Sequence, residues 1–210
     1  EPEAMSHFYD TLLQDAFGNY RTLLKDISLH PCMAHYLSHL QNKKADPVAR
    51  TFPDENYARE VMQLFSIGLW MLNPDGTRML DANGQPIPTY DNTTITELAK
   101  VFTGLSYSKR TNGTDNTNFT EYNGDLTKPM MGFDAFHDLG PKTLLLGVTT
   151  PARTASGGAA TMADVDALMT NIFNHPNVGP FMGKQLIQRL VTSNPSPAYI
   201  ARVTAAFDAA

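Results

Sequence analysis

Three stretches of this sequence group side chains able to do acid–base or metal chemistry. The first is PDENYAREVMQLF, from Pro53 to Phe65. Glu55 and Glu60 there supply carboxylates, Arg59 a guanidinium, and Asn56 and Gln63 polar groups suited to binding. Glycoside or polymer hydrolysis needs two carboxylates roughly 5–10 Å apart across a substrate. Glu55 and Glu60 diverge along one helix, so Asp138 would have to join them from elsewhere. The competing reading is an ordinary amphipathic helix, in which Arg59 and Glu60 tie neighbouring loops through buried, charge-assisted hydrogen bonds.

The second stretch is FHDLGPK. His137 beside Asp138, with Lys142 nearby, could form a general base or a ligand set. A plain turn explains the same residues, with Asp138 capping backbone amides and Gly140 at positive φ. The third is HPCMAHYLSH, where His35 and His39 stand four apart and would share a helix face. That spacing binds zinc only when a third ligand arrives, and no HExxH pattern is present. The better reading is a surface pair, so no metal or other cofactor is expected. Asp75, Asp81 and Asn83 in NPDGTRMLDANG lack the EF-hand order and suit hairpin turns. GxSxG, GxGxxG and P-loop motifs do not occur. Cys32 reads as a small buried residue.

The elements that must position these groups are mostly helices. Helical spacing runs from about Ser6 to Leu29, interrupted at Gly18-Asn19 and broken at His30-Pro31. Met33 to Leu40 reads as a short helix. In the Pro53 helix, Pro53, Asp54 and Glu55 suit the first turn. At about 100° per residue, Tyr57, Ala58, Val61, Met62, Leu64 and Phe65 fall on one arc. Ile67 is the one apolar residue on the polar arc, and Glu55–Arg59 is a favourable i,i+4 pair. Turn signals in LWMLNPDGTRMLDANGQPIPTY predict a small β-hairpin or meander over 69–90. Thr94-Ile-Thr-Glu97 reads as a capping box. A long polar loop follows over 106–131. Helices then begin at Thr161, near Phe181 and at Ser196-Pro197. His30 and His175, each before proline, are expected to bond backbone groups at their junctions. The predicted core includes Leu24, Met33, Tyr57, Val61, Leu64, Phe65, Leu98, Phe102, Leu168, Phe173, Phe181, Leu186 and Leu190.

Composition bounds the function. With 210 residues, 42% hydrophobic and 18% charged, the chain can build a core, and 1–210 reads as one helical domain. A net charge of −5 argues against nucleic acid or an anionic membrane as the main partner. No apolar run is long enough to span a membrane. One cysteine excludes internal disulfides. The opening EPEAMSHFYD lacks the basic start and apolar run of a signal peptide.

Six segments, LHPCMAHYL, PDENYAREVMQLFSIGL, LNPDGTRMLDANGQPIPTY, LAKVFTGL, FHDLGPKTLLLG and HPNVGPFMGKQLIQRLV, occur in an order that resembles a bacterial family known as domain of unknown function 1800. The resemblance runs from about Asn19 to Phe207 and is most specific around Asn56-Tyr57-Ala58-Arg59-Glu60. It implies an inner or C-terminal portion of a longer protein. It also implies an exported protein, periplasmic or extracellular, with a protein partner from another exported family. No catalytic residue comes with it.

The expectation is therefore a mainly α-helical fold with a small β-hairpin insertion and long irregular loops. Two functions stand open. One is a non-catalytic, exported helical scaffold or protein-binding domain, in which His30, Tyr57, Arg59, Glu60 and His175 are structural. The other is a hydrolase acting on a glycan or envelope polymer, with Glu55, Arg59, Glu60, His137 and Asp138 meeting in a cleft.

Overall fold

The computed structural model describes residues 2–109, 118–120 and 124–209. Among them are eight α-helices: α1 (Pro2–Asp15), α2 (Tyr20–Leu29), α3 (Pro31–Tyr36), α4 (Asn56–Gln63), α5 (Asn92–Val101), α6 (Ala159–Phe173), α7 (Val178–Leu190) and α8 (Pro197–Asp208). Two small antiparallel pairs accompany them. Strand β1 (Leu105–Ser106) pairs with β2 (Met131–Gly132), and β3 (Lys142–Thr143) with β4 (Thr149–Thr150). The fold is mainly α with a small β element. Much of the polar stretch over 106–131 lies outside the described residues.

The core lies where α2, α4, α5 and α6 meet. Leu24, Tyr57, Val61, Leu98, Phe102, Val165 and Leu168 are all buried there. Tyr57 is its centre. Its ring stacks on His39 at 3.8 Å and meets Phe102 edge-on at 4.8 Å. Its hydroxyl lies 2.5 Å from Ser28 Oγ, which donates to the Leu24 carbonyl. A hydroxyl buried this deeply needs such a partner.

Helix boundaries differ from the sequence reading for local reasons. The first stretch is two helices, and α1 folds back so that His7 meets His30 beyond the end of α2. Helix α4 starts at Asn56, later than Pro53 suggested, because Asp54 Oδ1 accepts from the Asn56 N–H and turns the chain first. It also stops early. Beyond Gln63 the Ile67 and Gly68 amides both bond to the Met62 carbonyl, five and six residues back, which departs from the helical turn of about 100° per residue. Leu64, expected inside, is therefore 53% exposed, and Ile67, projected on the polar side, is fully buried. Ser66 turns inward too and donates to the Val61 carbonyl. Helix α5 is capped by Asp91, whose Oδ1 accepts from the Thr94 N–H and hydroxyl, so Thr94 is the capped residue and not the cap. Helix α7 buries Val178, Gly179, Gly183 and Ile187, with Thr204 and Val203 of α8 against its glycines. That phase turns Leu186 and Leu190, both expected in the core, towards solvent.

Segment 69–90 folds as a meander of isolated bridges, Trp70 with Pro88, Leu72 with Arg78 and Leu80 with Pro86. Its base is pinned by one buried amide. Asn177 Nδ2 donates to the Ile67 and Trp70 carbonyls at 2.9 and 2.8 Å, and its Oδ1 accepts from the Leu72 N–H at 2.9 Å. No other side chain of that size offers two donors and an acceptor in one plane. We expect Asn177→Ala to cost roughly 2–4 kcal/mol in urea unfolding, because it strands buried backbone groups. Asn177→Asp should cost at least as much, since it sets a carboxylate against two carbonyls. A melt unchanged by either would mean that packing alone holds the meander.

Candidate functional site

Among the described residues, the densest cluster of ionisable groups forms around Asp164 on α6. The carboxylate is fully buried. Its Oδ2 takes Lys142 Nζ at 2.6 Å and His137 Nε2 at 3.1 Å, and its Oδ1 takes Arg153 Nε at 2.7 Å. His137 and Lys142 are fully buried as well, and Arg153 is partly exposed.

Segment 133–143 delivers two of these partners by wrapping the start of α6. At one end Asp134 accepts from the Ser156, Gly158 and Thr161 amides and from the Thr161 hydroxyl, at 2.6–3.0 Å. It thus satisfies backbone donors that the first turn of α6 leaves open. Next, Gly104 lets the segment pass. Its φ is +75°, and a Cβ there would sit 2.8 Å from His137 Cβ and 2.9 Å from the Phe133 carbonyl oxygen. His137 then stands between Asp164 and Thr103, with Nδ1 2.8 Å from the Thr103 carbonyl oxygen. Lys142 gives its remaining hydrogens to the Asp138 and Gly140 carbonyls, at 2.5 and 3.0 Å.

All three donors of the Lys142 ammonium are in use, and both His137 nitrogens face oxygen acceptors. Arg153 differs: it is partly exposed and reaches Asp164 through Nε, with its terminal nitrogens left outside the cluster's bonds. Burial alone would raise the Asp164 pKa, but hydrogen bonds from His137, Lys142 and Arg153 outweigh it and hold the carboxyl at about 2. Asp134 behaves alike: burial opposes ionisation, and the Ser156, Thr161 and Gly158 donors bring it to about 2.

Of the residues singled out from sequence, His137 and Lys142 meet at this point, and those of α4 do not. Arg59 pairs with Glu55 at 3.6 Å on the surface, each side chain 41% exposed, so the expected buried network is absent there. Glu55 is the N-cap of α4 and also accepts from the Thr96 hydroxyl, linking α4 to α5. Glu60 and Gln63 are half-buried on α4, and Asn56 is exposed beside Ser38. Neither His137 nor Asp138 is hydrogen-bonded to Glu60. Asp138 accepts from the Gly140 N–H, and its own N–H donates to Thr103 Oγ1. That is the turn reading, except that Gly140 keeps an ordinary φ. Lys142 belongs to the Asp164 cluster.

His35 and His39 do not share a face. Helix α3 ends at Tyr36 and Ser38 turns to φ +60°, which leaves His35 exposed and swings His39 into the core. There His39 Nε2 lies 2.8 Å from the Ser28 carbonyl oxygen, which can only accept. Among the described residues no group of three or more His, Cys, Asp or Glu side chains could hold a metal ion. The two His-Pro junctions share one device. His30 Nδ1 accepts from the Cys32 N–H, and His175 Nδ1 from the Asn177 N–H, both at 3.1 Å. Cys32 is half-buried, and burial pushes its thiol pKa up, which disfavours the nucleophilic thiolate. Sequence reasoning missed Asp134, Arg153 and Asp164. Asp164 lies on the buried face of a helix with no cation at i±4, so no local signal marked it.

Two outcomes follow from these charges. Asp164→Asn should destabilise the fold by about 3–5 kcal/mol, because it leaves buried cations unpaired. Arg59→Ala should change stability by no more than about 0.5 kcal/mol, the scale of an exposed pair. Urea titration of both variants separates a buried hub from a surface pair.

Acid should unfold the protein in two stages. Burial keeps His30, His39 and His175 neutral down to about 4, against an ordinary 6.5, and His7 lowers His30 further. The unfolded chain therefore binds protons first, and stability falls as pH drops from about 6.5 to 4. Asp134 and Asp164 ionise at about 2, against an ordinary 3.8. Their contribution is whole above about pH 4 and is lost as pH falls towards 2. Urea midpoints from neutral pH down to about 3 should decline throughout, and His175→Gln should flatten the upper stage. A stability curve flat between 6.5 and 4 would contradict neutral burial of the histidines.

No curated protein and no solved structure matches the chain. The profile of one family, described as a protein of unknown function (DUF1800), matches residues 1–210. With the match spanning its whole length, the chain belongs to the DUF1800 family.

Proposed function

We propose that this chain is a non-catalytic helical domain that works by binding another polypeptide. The observation that carries the proposal is the outer face of α1. Met5, Tyr9, Leu13 and, just past the helix, Phe17 follow one another at intervals of four and stand 45–104% exposed. Ala4 on the inner side is buried, and Phe8 and Leu12 pack against the core. The apolar arc of the helix is thus wider than its packing uses, with Glu3 and Asp10 exposed on the remaining side. A stripe at this spacing suits an amphipathic helix or extended segment of a partner.

The Asp164 cluster supports the same reading from the other direction. A general base needs a nitrogen or oxygen able to take a proton from substrate. His137 and Asp164 are enclosed and committed to internal partners. Hydrolysis through Glu55, Arg59, Glu60, His137 and Asp138 has less support, since the two halves of that set are not hydrogen-bonded to each other. Export to the periplasm or cell exterior, and a partner from another exported family, belong to the same proposal and rest on the family resemblance.

A photocrosslinking amino acid placed at position 9, in bacteria producing the protein, tests the reading. We expect discrete polypeptide adducts there and none with the same group at Asn83, an exposed turn residue. Leu13→Glu with Phe17→Glu should abolish the adducts while changing stability by about 1 kcal/mol or less. Equal labelling at both positions, or hydrolysis of an envelope polymer that disappears in Glu60→Gln, would overturn it.

A further inference from the structure

Residues 43–52, KKADPVARTF, form a loop in which every residue is exposed. Such stretches are usually polar and loosely held. This one is half apolar and is closed by its own hydrogen bonds. The Asp46 N–H donates to the Thr51 carbonyl and the Thr51 N–H to the Asp46 carbonyl, at 3.0 and 3.1 Å, which closes the loop at its neck. Inside the neck Asp46 Oδ1 accepts from the Val48 and Ala49 amides at 2.9 and 3.1 Å. Arg50 takes φ +55° to complete the turn. The base is anchored as well: the Lys44 N–H donates to the Phe136 carbonyl at 2.8 Å, and Asn42 exchanges hydrogen bonds with the Asp54 backbone.

What this ordered loop presents is apolar at its tip and basic at its sides. Val48 is 95% exposed and Phe52 81%. Pro47 and Ala49 flank Val48. Lys43, Lys44 and Arg50 supply three cations, and the one carboxylate, Asp46, is already occupied by backbone donors. The chain as a whole carries −5, so the positive charge is local. A cleft of about 710 Å³ separates the loop from Ala135 and Phe136, and Lys43 Nζ lies 5.9 Å from the Phe136 ring centre.

We propose that this loop docks the protein onto an anionic lipid surface. Val48 and Phe52 enter the boundary between headgroups and acyl chains, and Lys43, Lys44 and Arg50 meet the phosphates around them. Aliphatic and aromatic groups gain by leaving water there, and basic side chains gain from the negative surface potential. Because the loop is closed before it binds, docking does not have to order it. An isolated neutral surface would satisfy the apolar tip and leave the cations without partners; a free phosphate would do the reverse. The acidic face of α1, with Glu3 and Asp10 exposed, would be repelled by such a surface, so the inference stands apart from the polypeptide-binding reading.

Co-sedimentation with vesicles tests it. The chain should pellet with vesicles of equal parts phosphatidylglycerol and phosphatidylcholine, and not with phosphatidylcholine alone. Val48→Asp with Phe52→Asp should reduce pelleting to background. Lys43→Gln with Lys44→Gln should weaken it about thirtyfold. Both pairs alter only exposed side chains, so circular dichroism and melting should match the wild type. About 0.5 M salt should release the protein, because charges then screen within a few ångströms. Inorganic phosphate should release no more than chloride at matched ionic strength. Failure of the wild type to pellet, equal pelleting with neutral vesicles, or selective release by phosphate would each overturn the proposal.

Discussion

A carboxylate cannot be buried alone, and much of this structure follows from how Asp164 avoids it. Desolvating an ion costs several kcal/mol even after the protein relaxes. Asp164 recovers that cost from three directions, through Lys142 and His137 on one oxygen and Arg153 on the other. Each partner commits a different piece of chain. Lys142 fixes the start of the β3–β4 pair, His137 fixes the segment running past Gly104, and Arg153 fixes the loop leading into α6, where its own N–H also donates to the Leu139 carbonyl. Thr103 extends the network to α5 by bonding His137, the Asp138 amide and the Lys100 carbonyl. One charge therefore sets the register of irregular chain that has little regular hydrogen bonding of its own.

The same economy recurs at the helix junctions, with neutral groups in place of ions. Proline ends one helix and starts the next, but its missing N–H removes a donor and leaves the following amides to be satisfied. At His30-Pro31 and His175-Pro176 the imidazole turns back and accepts from the second amide onward. That use requires an unprotonated Nδ1, which a buried ring supplies. At the first junction the opposite nitrogen also reaches His7 at 3.0 Å, so the cap doubles as the clasp between α1 and α2. At the second, Asn177 carries the connection onward into the meander.

The parts of this fold governed by local signals were legible. The His-Pro junctions, the turns at Asn73–Gly76 and Asp81–Gly84, and the Ser196 cap all arise within a few residues, and the structure places them where those signals put them. The failures are equally specific. Leu64 and Ile67 exchange places because a projection assumes the helix continues, and α4 gives way to longer-range bonds after Gln63. His39 leaves the surface for the same reason, once α3 ends at Tyr36. The Asp164 cluster was half legible. His137 and Lys142 attracted notice as reactive types in a loop. The aspartate that unites them is more than twenty residues away, and nothing in the order of residues pairs a helical Asp with a distant lysine.

Around Asp164, Lys142 commits all three of its hydrogens to internal acceptors. Elsewhere in the interior His39 Nδ1, His175 Nε2 and the Tyr90 hydroxyl have no partner among the described residues, and the exposed surface is not uniform. Helix α1 joins exposed Met5, Tyr9 and Leu13 to acidic neighbours, while loop 43–52 joins exposed Val48 and Phe52 to basic ones. Exposed apolar groups set among opposite charges do not suit the same partner, because a surface that attracts one set repels the other. The net charge of the chain averages these two faces and describes neither. A domain built this way has a centre held by charge-assisted hydrogen bonds and two chemically distinct sides.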